Sequence, residues 1–145
     1  MSAAADRIGR ALISWYRRSG RTLRIRERTD PYSVLVVEVM AQQTQISRVE
    51  ALAERFFARF PTLADLARAE AAEVLEAWRG LGYNRRAIAL HRAAAIAHAR
   101  GGLPRDVDAL EELPGIGPYT ARAVAAIAYG GRSIPVDVNI ARVVG

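Results

Sequence analysis

Glu38 is the residue whose sequence surroundings best suit proton-transfer chemistry. It is the only charged residue within positions 32–45, YSVLVVEVMAQQTQ. If this segment is helical, Val34, Val37 and Ala41 share the face of Glu38. Apolar surroundings raise the pKa of a carboxyl, because desolvation disfavours its charged form. The pattern allows two interpretations, an acid that donates a proton near neutral pH or a glutamate at a solvated helix edge.

A second carboxylate, Asp137, opens the last segment, DVNIARVVG. Aspartate is favoured at helix N-caps, and the sequence alone favours that structural role. A capping carboxylate that accepts backbone hydrogen bonds stays ionised, so the cap is compatible with a chemical role. Asn139 lies two residues further on, where its amide could orient the aspartate or a water molecule.

The motif Leu113-Pro114-Gly115-Ile116-Gly117 stands between two predicted helices. Its glycines allow a sharp turn and a close approach of the backbone to a ligand. The next helix starts at Pro118, so its free amides point into the turn and can bind a phosphate without reading base sequence. A plain helix–loop–helix corner is the alternative, and the motif favours contact with DNA phosphates.

Composition excludes several chemistries. The chain has 145 residues, with no cysteine and no lysine, since all 21 basic residues are arginine. Disulfides, thiolate nucleophiles, cysteine-ligated metals and lysyl imines are therefore excluded within these residues. The two histidines, His91 and His98, lack a nearby carboxylate pattern, so we expect no metal site.

The net charge of +6 and the pI of about 10.7 favour a polyanionic partner, because guanidinium groups match phosphate geometry. A GC-rich genome, which replaces lysine with arginine, is the alternative explanation. The apolar runs, such as Val34–Val37, are too short to span a bilayer. Met1–Ala5 lacks the pattern of a signal peptide. We expect a cytoplasmic, nucleoid-associated protein, without a membrane partner and monomeric.

Hydrophobic periodicity predicts an all-α fold of about nine short helices. Propensity alone favours a strand for VLVVEV, but no partner strand is evident, so we predict a buried helix there. The arginine-rich stretch Arg17–Arg28 is predicted to be a basic loop. The predicted helices are residues 6–18, 32–43, 46–60, 63–68, 71–78, 84–100, 106–113, 118–129 and a last one starting at 137.

Four segments resemble known proteins. LPGIGPYTARAVAAIAYG resembles the hairpin of the helix–hairpin–helix DNA glycosylase superfamily, and DPYSVLVVEVMAQQTQISRV resembles the catalytic-helix segment of its A/G-specific adenine DNA glycosylases. WRGLGYNRRAIALHRAA and VDVNIARVVG match further segments of that family. The similarity runs from Leu23 to Gly145, nearly the whole chain.

The resemblance implies an endonuclease III-like fold of two all-α domains. Residues 1–29 would be the N-terminal helix and basic loop of a second, cluster-type domain. Residues 30–134 would form a six-helix barrel with the helix–hairpin–helix at 106–129. Residues 135–145 would begin the catalytic-aspartate helix, in a chain that we expect to be truncated at its C-terminus.

The implied activity is base-excision repair, in which adenine mispaired with 8-oxoguanine or guanine is hydrolysed from double-stranded DNA. Glu38 would be the general acid, Asp137 would stabilise the sugar cation, and Asn139 would support it. Tyr119 stands where bifunctional members carry their lyase lysine, so we expect a monofunctional glycosylase.

The same resemblance implies the residues that contact DNA. Arg26 would line the adenine pocket, while Leu81 and Tyr83 would form a wedge that fills the gap left by the flipped base. The other implied contacts are Gln42, Gln43 and Thr44 after the catalytic helix, and Gly115, Gly117 and Thr120 at the hairpin.

This sequence departs from the family at two places. Leu23-Arg24-Ile25-Arg26 stands where members usually have Leu-Pro-Trp-Arg, which alters a wall of the base pocket, and Asn84 replaces a second tyrosine after GLGY. We expect no cofactor within this chain; a 4Fe-4S cluster is implied only if the protein continues past Gly145. Two alternatives stay open: a mismatch glycosylase acting on thymine or uracil opposite guanine, and a non-catalytic DNA-binding module.

Overall fold

The computed structural model describes residues 3–144, so the ends of the predicted segments 1–29 and 135–145 lie outside the described residues. This part of the chain contains no β-strand, which confirms the predicted all-α class. The helices are α1 (Ala3–Ser19), α2 (Pro31–Ala41), α3 (Ile46–Arg59), α4 (Leu63–Arg68), α5 (Ala71–Ala77), α6 (Arg85–Ala99), α7 (Val107–Glu111), α8 (Pro118–Tyr129) and α9 (Val138–Val144), with a 3₁₀ helix at Arg24–Glu27. No helix within residues 3–144 is long and apolar enough to cross a membrane.

Helix α2 lies at the centre of the packing, in contact with α3, α6 and α8. The structure confirms the predicted buried helix, although its valines favour a strand by propensity. Burial on most sides stabilises an apolar helix more than local propensity opposes it. The helix begins cleanly, because the Asp30 carboxylate accepts a hydrogen bond from the Ser33 amide at 2.9 Å and Pro31 occupies the first helical position.

The 3₁₀ helix at Arg24–Glu27 corrects the prediction of an open basic loop. Ile25 is only 2% exposed and belongs to the hydrophobic core. A single apolar residue among arginines forms no periodic pattern, so the sequence did not reveal this anchor. By contrast, the predicted apolar stripe of α1 forms but stays exposed, with Ile8 and Leu12 about 60% accessible.

The hairpin joins α7 to α8 as predicted. The buried side chains of Leu113 and Ile116 anchor the turn in the core, and the Ile116 amide donates to the Leu113 carbonyl at 3.2 Å. Gly115 has a φ of +74°, and a Cβ atom there would lie 2.7 Å from the Cβ of Ala89 on α6. Glycine is therefore required at position 115 for two reasons, the left-handed backbone conformation and the close packing on α6.

We expect Gly115→Ala to lower the free energy of unfolding by about 2–3 kcal/mol, since backbone strain adds to steric overlap with Ala89. Gly130→Ala is the matched control, because Gly130 has a similar φ of +67° but a Cβ atom there would have no neighbour within 4 Å. The control should lower the free energy of unfolding by about 1 kcal/mol, because only the backbone strain is introduced. Urea unfolding followed by circular dichroism measures both. Equal losses in the two variants would show that the contact with Ala89 is unimportant.

Candidate active site

A cavity of about 360 Å³ opens between α2, α8 and the 3₁₀ helix, and Glu38 lies in its wall. Val34, Val37 and Ala41 line the same wall, as predicted from their helical spacing. Burial raises the pKa of Glu38 above its ordinary value, and the nearby Arg26 charge partly opposes this rise. Of the two interpretations left open by the sequence, the structure favours the desolvated acid.

Tyr119 lines the cavity opposite α2 and connects the two carboxylates electrostatically. Its pKa is raised first by burial and then by the negative charges of Glu38 and Asp137, while Arg26 lowers it. Both carboxylates therefore lie close enough to raise the pKa of the same phenol, although Glu38 and Asp137 are far apart in the chain.

Asp137 is also the N-cap that the sequence favoured. Its Oδ1 accepts a hydrogen bond from the Ile140 amide at 2.7 Å at the start of α9. Asn139 is exposed in the first turn of α9 and does not line the cavity. The structure thus places Asp137 beside the site and leaves Asn139 at its periphery.

Arg26 reaches the cavity from the 3₁₀ helix, consistent with its predicted place in a pocket. Its Nη1 donates a hydrogen bond to the Tyr16 hydroxyl at 3.0 Å, so α1 also helps to position it. The buried Ile25 lines the same wall.

A larger groove of about 680 Å³ lies beyond the C-terminal end of α2, next to the hairpin. It brings together four predicted contact residues, Gln42, Gln43, Tyr83 and Gly115. Gln43 and Tyr83 are exposed and have positive φ values of 55° and 48°. Residues other than glycine rarely adopt positive φ values, and such backbone strain persists only where the surrounding structure enforces it.

Two predicted contact residues point inward, and this corrects the expectation that they project toward DNA. Leu81 is 4% exposed and packs in the core, so only Tyr83 of the predicted wedge faces solvent. Thr120 is 2% exposed, and its Oγ1 accepts a hydrogen bond from Gln42 Nε2 at 3.1 Å. Its role in this structure is to hold Gln42. Gly117, in contrast, is exposed at the start of α8.

Arg86 is the residue that sequence reasoning missed. The four N–H groups on its two Nη atoms share six hydrogen-bond acceptors, which join the end of α2 to the turn before α6. The guanidinium also lies 5.5 Å from the centre of the Trp78 ring and 5.6 Å from that of Tyr83. The acceptors are the carbonyl oxygens of Val39, Met40, Gln42, Leu81 and Gly82 and the hydroxyl of Thr44.

One sequence signal could have revealed Arg86. It lies in the first turn of α6, where the helix dipole disfavours a positive charge. Desolvation lowers the pKa of Arg86, so its burial also has an energetic cost. A cation placed against both effects must be stabilised by contacts outside its own helix, and here those contacts hold the strained residues Gln43 and Tyr83 in place.

The described residues provide no site that fits a metal cluster. Within residues 3–144, no group of three or more histidine or acidic side chains could hold a metal ion. The chain also contains no cysteine, so it has no thiolate ligands for an iron–sulfur cluster. We therefore assign no chemical step to such a group.

Fold and site together define a helix–hairpin–helix protein with a desolvated acid in a cavity. The family described as HhH-GPD superfamily base excision DNA repair protein matches residues 36–145. The chain therefore belongs to this superfamily, which confirms the resemblance noted in the sequence.

Curated relatives carry the name adenine DNA glycosylase. The protein of Mycolicibacterium smegmatis is 47% identical over 136 residues, which cover 92% of this chain and 46% of the relative. The Homo sapiens protein is 40% identical over 144 residues, which cover 92% of this chain and 26% of the relative. The chain thus spans less than half the length of these two relatives.

Solved structures support the fold. A thermostable thymine-DNA glycosylase superposes with a TM-score of 0.84 at 28% identity, covering 90% of this chain and 62% of that one. A trapped covalent intermediate of endonuclease III with DNA, an estranged-adenine complex, superposes with a TM-score of 0.74 at 30% identity. The match covers 81% of this chain and 57% of that one.

We expect Arg86→Met to lower the free energy of unfolding by about 2–3 kcal/mol, because partly buried carbonyl groups lose their donor. Arg85→Met is the matched control, since Arg85 is exposed and its replacement should change stability by less than about 0.5 kcal/mol. Urea denaturation of both variants measures the difference. Equal stability of the two would mean that the hydrogen bonds of Arg86 add nothing to folding.

The raised pKa of Glu38 predicts a pH-dependent stability. The folded state binds the proton more tightly than the unfolded chain, whose ordinary pKa is 4.5. Protonated Glu38 therefore contributes fully to the free energy of unfolding below pH 4.5, and this contribution is lost as the pH rises through the pKa of the folded state. Thermal melting should show Glu38→Gln and the parent equally stable near about pH 4, and the variant more stable near about pH 8. A less stable variant at the higher pH would mean that ionised Glu38 is favourably bound.

Proposed function

We propose that this chain carries catalytic machinery of an adenine DNA glycosylase that acts on adenine mispaired with 8-oxoguanine or guanine. The observation that carries the proposal is the desolvated Glu38 in a cavity shared with Arg26 and Tyr119, where Asp137 acts on the same phenol. The relatives named adenine DNA glycosylase support adenine as the base.

The target base must leave the stack, because its glycosidic bond cannot be reached within the duplex. The strained, exposed side chains of Gln43 and Tyr83 lie in the groove next to the hairpin, where they could enter the vacated space. The cavity beside Glu38 would then receive the flipped base.

In the reaction, Glu38 donates its proton to a nitrogen on the imidazole edge of adenine. The bond between the sugar C1′ and the base nitrogen breaks, and its electron pair leaves with the protonated base. Asp137 stabilises the resulting deoxyribosyl cation with its negative charge. Water then adds to C1′ and gives up a proton to the Glu38 carboxylate, which restores the acid and leaves an abasic site. A raised pKa suits Glu38 to the first step, because the acid must be protonated when substrate binds.

Strand cleavage through an amine is not part of this proposal. The chain has no lysine, and Tyr119 stands two residues after the second hairpin glycine. We therefore propose a monofunctional enzyme. We also propose that it acts as a monomer on cytoplasmic, nucleoid-associated DNA. An iron–sulfur cluster enters the proposal only for a protein that continues past Gly145.

Thymine or uracil opposite guanine is a second candidate substrate. The cavity wall contains Ile25 at the position where the resemblance implies a tryptophan, so we infer a different wall for the base pocket. The superposition on a thymine-DNA glycosylase, with a TM-score of 0.84, favours including this substrate in the test.

Single-turnover base release tests the proposal, with duplexes that contain A opposite 8-oxoguanine, A opposite G, and T or U opposite G. We expect adenine release by the parent and a loss of about 100- to 10,000-fold in Glu38→Gln, since the general acid is removed. Strand breaks should appear only after alkali. Release of thymine or uracil instead would select the second candidate.

Asp137→Asn provides the companion variant. Asparagine caps helices as well as aspartate, so α9 keeps its start while the negative charge is lost. We expect release to fall by about 100-fold or more, with unchanged thermal stability. If the parent binds duplex DNA but releases no base from any duplex, the chain is a non-catalytic binding module and the proposed mechanism is wrong.

A further inference from the structure

One face of α6 carries two arginines on either side of the point where the hairpin packs. Arg85, Ala89 and Arg92 are spaced four and three residues apart, so they share a helix face. Ala89 is the residue against which Gly115 packs. The two arginines lie about 10.5 Å apart along the helix axis, one on each side of the hairpin contact.

Two continuous grooves flank this contact. The groove of about 680 Å³ that holds Gln43 and Tyr83 shares Arg85, Ala89 and Pro114 with a neighbouring groove of about 390 Å³. The second groove extends to Arg92. Neither is lined by a carboxylate, so both present only positive charge.

Three other arginines on the described surface are neutralised by neighbouring carboxylates. Arg28, Arg59 and Arg100 form ion pairs with glutamates. Within residues 3–144, the guanidinium groups of Arg85 and Arg92 have no ion-pair or hydrogen-bond partner, and both residues are exposed. Arg85 also lies in the first turn of α6, where the helix dipole disfavours a cation. Intramolecular stability therefore does not account for these two charges.

We propose that Arg85 and Arg92 bind backbone phosphates of duplex DNA on both sides of the hairpin and extend its contact along one strand. The proposal rests on the proposed function, which makes duplex DNA the partner. With about 10.5 Å between them along the helix axis, the two guanidinium groups can reach different phosphates of one strand. Guanidinium groups at this spacing would position the duplex without reading its sequence.

The test is the salt dependence of duplex binding by the 145-residue chain, measured by fluorescence anisotropy with labelled DNA. Arg85→Gln and Arg92→Gln should each reduce the slope of log affinity against log salt by about 0.9, and the double variant by about 1.8. Arg92→Lys should keep most of the slope, since lysine also binds phosphate. Circular dichroism melting should show equal stability for all variants.

Arg68→Gln is the matched control, an exposed arginine in a groove that Asp65 and Glu73 also line. Its slope should equal that of the parent. An unchanged slope in the double variant, an equal loss in the control, or a parent that does not bind duplex DNA would overturn the proposed surface.

Base release by the parent is measured separately and distinguishes this proposal from the proposed function. Release of a base without a slope loss in the double variant rejects the phosphate surface and keeps the glycosylase. A slope loss without release of any base keeps the surface and rejects the glycosylase.

Discussion

The guanidinium of Arg86 holds together the parts of the molecule on which the candidate site depends. Carbonyl groups at the end of a helix have no partner within that helix, and those at the end of α2 accept hydrogen bonds from Arg86. The same side chain binds the carbonyl groups of Leu81 and Gly82 in the turn before α6. Because Glu38 lies one turn before the end of α2, this clamp also restrains the helix that carries the acid.

One face of α2 and the C-terminal end of this helix border two different cavities. The face with Glu38 is apolar and turns toward the smaller cavity, where desolvation raises the pKa of the carboxyl. The end with Gln42 and Gln43 opens into the larger groove beside the hairpin. The C-terminal half of one helix therefore joins the desolvated Glu38 to the larger groove, and the hydrogen bond from Gln42 to Thr120 connects that groove to α8.

Close packing also sets the distance between the hairpin and α6. Gly115 approaches Ala89 so closely that position 115 does not tolerate a larger side chain without movement. Since Ala89 lies between Arg85 and Arg92, this contact sets where the two charges stand relative to the turn. Gly115 thus sets the position of the hairpin relative to Arg85 and Arg92, although it carries no charge itself.

The sequence by itself determined the all-α class, the positions of most helices, the cap at Asp137, and the absence of lysine chemistry. These properties depend on local periodicity, capping preference and composition, which neighbouring residues carry. Only the tertiary structure decided that Leu81 and Thr120 point inward, that Ile25 is a core residue, and that Arg86 joins two segments. Each of these depends on contacts between residues far apart in the chain, and local sequence pattern does not encode which distant carbonyl or cavity a side chain will meet.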